Sequence, residues 1–139
     1  MDILNRLEPL AEPGYRAFSE RLIPTTRARI LGVRAPLLKN LAAEILRGDF
    51  RAFLETAPDD VLEVLLLKAA ALGSPAMAPG ERLERVAAFL PKIDNWAVCD
   101  ALMSRLQPER GEWARYFEFL TPCFTDRREY FARFGAVML

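Results

Sequence analysis

The 139-residue sequence contains no histidine. That absence removes the Ser–His and Cys–His pairs that activate many protein nucleophiles. There are only two cysteines, Cys99 and Cys123. Two thiols are too few for a disulfide framework, and without histidine they make a poor zinc set. The expectation is reduced thiols in a cytoplasmic protein, with no metal and no cofactor. Lysine is scarce: of 19 basic residues, 3 are Lys and 16 are Arg. No apolar run reaches the roughly 18 residues that a membrane span needs. The longest candidate, VLEVLLLKAAALG, is interrupted by Glu63 and Lys68. The N-terminus MDILNRLEPL lacks the basic flank of a secretion signal.

What remains is an ordinary globular composition, 52% hydrophobic and 27% charged. The length suits one domain with a sizeable core. Net charge is zero but unevenly spread. Residues 16–51 carry eight basic residues against Glu20, Glu44 and Asp49, a local +5. Residues 52–100 come to −4. Arginine suits phosphate because its planar fork binds two oxygens at once. A basic N-terminal third therefore keeps nucleic acid in view, although a neutral chain alone argues weakly for it.

The hydrophobic spacing is helical throughout. PGYRAFSERLIP sets Tyr15, Phe18 and Leu22 at helix spacing between two prolines. TTRARILGVR has no alternation and reads as a connector. APLLKNLAAEILRG has Pro36 in a first-turn position and stops at Gly48, with Leu37, Leu38, Leu41 and Ile45 as one stripe. Asp49 can cap a short helix over 50–57, and Asp59 or Asp60 the next, which runs to Gly73. SPAMAPGE reads as a loop, followed by a helix ending before Pro91. Asp94 or Asn95 caps WAVCDALMSRL, Pro108 opens the next helix, and Thr125 or Asp126 caps the last. The pattern predicts about eight or nine helices of roughly 8–15 residues. Short turns between them favour an all-α solenoid of stacked helical hairpins over an open bundle.

Trp96 and Asp100 are four residues apart and share a helix face. One reading makes Trp96 a core anchor and Asp100 a solvated or salt-bridged acid. The other makes the pair a site for a cationic ligand, because an aromatic face and a carboxylate both attract positive charge. Trp113, Tyr116, Phe117 and Phe119 read as core. Glu81, Arg82, Glu84 and Arg85 read as a solvated face. Arg127 and Arg128 oppose the helix dipole, a mild cost that a phosphate could offset. Cys99 reads as a small buried hydrophobe.

Three blocks carry a family resemblance: LIPTT…ILGVRAPLLKNLA (22–42), FLPKIDNWAVCDAL (89–102) and REYFARFGAVML (128–139). In order and spacing they resemble the DNA alkylation repair (AlkD-like) proteins. The resemblance implies a right-handed α-solenoid of HEAT-like antiparallel helical hairpins that holds duplex DNA. It implies a DNA glycosylase that excises N3- and N7-alkylated purines. By position it implies Trp96 and Asp100 as catalytic residues and Arg133 as a DNA contact. The local charge adds Arg27, Arg29 and Arg34 as phosphate contacts. The alternatives are a non-catalytic DNA-binding module and a protein-interaction repeat. Family members run past the third block, so residues 1–139 read as one helical-repeat domain, the N-terminal part of a longer fold. The apolar side chains of the helix at 126–139 then await a further repeat or a second copy of the chain.

Overall fold

The computed structural model describes residues 1–106, 108–109, 111–124, 126 and 128–138, and of Phe124 and Phe131 the backbone only. The cap expected at Thr125, the cation at Arg127 and the apolar Leu139 lie outside the described residues. Among the described residues all regular structure is helical: nine α-helices and two short 3-10 turns. The chain forms two compact units, Met1–Ala71 and Leu72–Leu139.

The first unit holds α1 (Ile3–Leu7), α2 (Pro13–Leu22), α3 (Ala35–Arg47), α4 (Phe50–Thr56) and α5 (Leu62–Ala71). Pro36 sits in the first turn of α3, where a missing N–H costs nothing. The Gly48 N–H closes its other end onto the Glu44 and Ile45 carbonyls at 3.0 and 3.1 Å. Asp49 then caps α4 by accepting from the Ala52 N–H at 3.0 Å. Leu41 and Ile45 are buried as α3 packs on α4 and α5.

Helix α5 is buried on almost every side, Glu63 and Lys68 included. A buried charge persists only with partners. The Lys68 Nζ donates to the Ala57 carbonyl at 2.7 Å and to Asp59 Oδ1 at 2.6 Å. Glu63 accepts three backbone N–H groups, from Leu31 at 3.0 Å, Gly32 at 2.9 Å and Val33 at 3.3 Å. These belong to the connector expected at 25–34, which makes one isolated parallel bridge, Arg29 to Val61.

Helix α2 forms between its two prolines, with part of its apolar stripe facing outward. Phe18 and Leu22 are half-exposed, while Ser19 is buried. The cause is the seat of Gly32. A Cβ there would meet the Glu12 carbonyl and the Arg16 backbone and Cβ. The connector therefore lies on the face of positions 12, 16 and 19, which are spaced along one side of the helix. The neighbouring stripe of Tyr15, Phe18 and Leu22 turns outward.

The second unit holds α6 (Pro79–Phe89), a 3-10 turn at Leu90–Lys92, α7 (Trp96–Arg105), α8 (Trp113–Phe124) and α9 (Glu129–Met138). Asn95 is fully buried and caps α7 by accepting from the Val98 N–H at 3.0 Å. Arg82 is not on a solvated face. Its guanidinium donates to the Leu72 carbonyl at 3.1 Å, the Met77 carbonyl at 3.0 Å and the Ser74 carbonyl, closing the loop before α6.

The aromatic residues of α8 divide. Tyr116, Leu120 and Cys123 are buried, and Phe119 meets Phe134 of α9 edge to face at 6.4 Å. Trp113 and Phe117, expected in the core, are exposed. Trp113 opens the helix, and Phe117 follows it one turn later beside the buried Tyr116–Leu120–Cys123 row. On α9, Phe134 is buried and Val137 is exposed.

The Tyr116 hydroxyl is buried without a hydrogen-bond partner among the described residues. A buried unmade hydrogen bond costs about 1–3 kcal/mol. Tyr116→Phe should therefore leave stability unchanged or raise it by about 1 kcal/mol. A clear drop in the thermal midpoint would reveal a partner for the hydroxyl.

Candidate functional site

The Asn95 cap fixes the rotation of α7 at its first turn. Val98, Cys99 and Leu102 face inward and are fully buried. Trp96 is left 44% exposed, so it does not anchor the core. Asp100 follows one turn later on the same face, half-buried.

Helix α9 packs against α7 and brings Arg133 to Asp100, 33 residues away in sequence. The guanidinium donates from Nε to Oδ1 at 3.2 Å and from Nη2 to Oδ1 and Oδ2 at 3.0 and 3.1 Å. The hydrogen bond to Asp100, then its charge, holds the Arg133 pKa above the usual arginine range. Arg133 is therefore a permanent cation at this surface.

The two side chains remain 43% and 42% exposed. Ion pairs this open to water contribute at most about 1 kcal/mol. The pair therefore contributes little to holding α9 on α7. The pair can open at little cost, giving a carboxylate beside an indole face and a guanidinium able to take a phosphate.

Cys99 lies behind Asp100, its Sγ 3.9 Å from the Tyr130 carbonyl. Burial first, and the Asp100 charge second, push its thiol up to about 11. Burial also raises the Cys123 thiol. Thiolates are the reactive species, so neither is a nucleophile near neutral pH. Iodoacetamide should leave the native protein unlabelled there and modify both thiols after denaturation. Rapid labelling of Cys99 in the native protein would contradict its burial.

The other expected arginines lie in the first unit. Arg27, Arg29 and Arg34 are all exposed. Arg34 donates from Nε to Glu12 Oε2 at 2.8 Å and stacks 5.0 Å above the Tyr15 ring. Arg29 lines an open cleft with Arg16, Glu20 and Thr26. The structure thus joins Asp100 to Arg133, with Trp96 a turn away, and sets the other three arginines along one segment. Sequence reasoning passed over Glu63, whose carboxylate fixes that segment. Its signal was an acid inside an apolar run. Among the described residues, no three of Cys, Asp and Glu gather where they could share a metal ion. No helix among them is long and apolar enough to cross a membrane.

No curated protein and no solved structure gives a significant match to the chain. A family model described as DNA alkylation repair enzyme matches residues 3–137. That span takes in α7 and all of α9 but Met138, the two helices that meet at Asp100 and Arg133, and the arginine segment of the first unit. The chain belongs to the DNA alkylation repair enzyme family.

Proposed function

We propose that the protein binds duplex DNA and excises N3- and N7-alkylated purines by hydrolysis of the N-glycosidic bond. The observation that carries this reading is a surface carboxylate, Asp100, paired with a guanidinium and one helical turn from an exposed indole. Alkylation makes the purine cationic and a good leaving group. When the C1′–N bond breaks, its electron pair returns to the purine and neutralises it. The sugar becomes an oxocarbenium ion. Asp100 stabilises that charge and orients the water that adds to C1′. The water's proton passes to the carboxylate or to solvent. The Trp96 face favours the same positive charge, and Arg133 holds a backbone phosphate. In this reading consecutive packed helices are HEAT-like repeats.

The test is incubation with duplex DNA carrying N3-methyladenine or N7-methylguanine, scoring released base. Release above the spontaneous rate supports the reading. Binding without release favours a non-catalytic DNA-binding module. Binding to a protein partner, with no salt-dependent DNA affinity, favours an interaction repeat.

Arg27, Arg29 and Arg34 are the phosphate contacts of the first unit in this reading. Replacing all three with Gln should weaken DNA binding and flatten its salt dependence. The slope should fall by up to about 0.9 for each phosphate no longer neutralised. Binding titrations at several salt concentrations measure it. An unchanged slope would remove these arginines from the interface.

A further inference from the structure

We infer that Glu63 is a positioning residue for DNA binding, holding Arg29 and Arg34 in a preformed arrangement. The inference rests on the reading that these arginines contact phosphate. Ile30, Leu31, Gly32 and Val33 are buried between the two arginines. Buried N–H groups need acceptors, and this segment has no strand ladder to supply them. Glu63, itself only 2% exposed, takes three of them.

The segment is tied at other points as well. The Arg29 N–H donates to the Asp60 carbonyl at 2.8 Å, and its carbonyl accepts from the Leu62 N–H at 2.9 Å. The Gly32 carbonyl accepts from the Glu12 N–H at 2.9 Å. Arg29 and Arg34 therefore leave a backbone that is already ordered at both ends. A loop ordered before binding does not have to be ordered by the ligand, so more of the contact energy appears as affinity. Glu63 itself touches no ligand and acts only through the two arginines.

Glu63→Gln keeps the shape but replaces one acceptor oxygen with an NH2 facing a backbone N–H. In the folded variant, the Leu31, Gly32 and Val33 amides should exchange with solvent about tenfold faster. Affinity for duplex DNA should fall about tenfold. The same change made on top of Arg27, Arg29 and Arg34→Gln should cost no further affinity, because the groups it positions are gone. Faster exchange with unchanged affinity would overturn the inference, and so would an equal loss in both backgrounds.

The unsubstituted chain gives a second measurement that does not depend on the variant folding. Its Leu31–Val33 amides should be protected before DNA is added. Protection that arises only with DNA would mean the ligand orders the segment, which overturns preorganisation. Absence of salt-dependent DNA binding by the unsubstituted chain would instead defeat the proposed function itself.

Discussion

Asp100→Asn should lower base excision by about 100- to 1,000-fold while leaving the fold and duplex binding nearly intact. Asparagine keeps the shape and one oxygen acceptor for the Arg133 guanidinium. It removes the negative charge that the oxocarbenium ion requires. The stability side is small because the ion pair is half open to water, where such pairs contribute at most about 1 kcal/mol. The kinetic side is large because the charge acts where positive charge develops in the transition state. Single-turnover release from methylated duplex, beside a binding titration and a thermal melt, separates the two. Excision by the Asn variant at the unsubstituted rate would make Asp100 a structural acid.

Gly32→Ala should destabilise the protein by about 3 kcal/mol or more. Gly32 has φ +90°, a conformation that L side chains rarely adopt. A Cβ would lie 2.6 Å from the Glu12 carbonyl oxygen and 2.7 Å from the Arg16 nitrogen. Both are backbone atoms, joined to each other by a 2.9 Å hydrogen bond in the first turn of α2. Neither can swing aside as a side-chain tip could. Helix α2 would have to lift from the connector or the connector from Glu63. Gly14→Ala should do the reverse. Its Cβ meets nothing within 4 Å, and its place in α2 should gain about 0.5–1 kcal/mol. Urea unfolding of the two variants, followed by circular dichroism, measures the contrast. A Gly32→Ala variant as stable as its parent would contradict the seat of Gly32 on α2.

The local punctuation of the fold was legible in the sequence. Pro36, Gly48, Asp49 and Asn95 act through their own backbone neighbours, so a short window contains their whole effect. The outward turn of Phe18 and Leu22 was not legible. Periodicity says which residues share a face, and a contact from another segment decides whether that face is covered. The same holds for Trp113 and Phe117. Arg82 looked like one charge in a solvated run because its three carbonyl partners lie in the loop before its helix. Glu63 finds its donors about thirty residues upstream, beyond any helical spacing. At the candidate site, spacing put Trp96 beside Asp100. Arg133 came only from the family resemblance, since nothing local ties residue 133 to residue 100.

The two tryptophans have a use of their own. Both lie in the second unit, at positions 96 and 113, and both are substantially exposed. An indole already in contact with water changes its emission little when the chain unfolds. Tryptophan fluorescence is therefore a poor gauge of denaturation here, and residues 1–71 contain no tryptophan of their own. For the same reason it is a sensitive gauge of anything that covers the surface. With Trp113→Phe, the remaining tryptophan stands one helical turn from Asp100, a built-in optical reporter needing no attached dye.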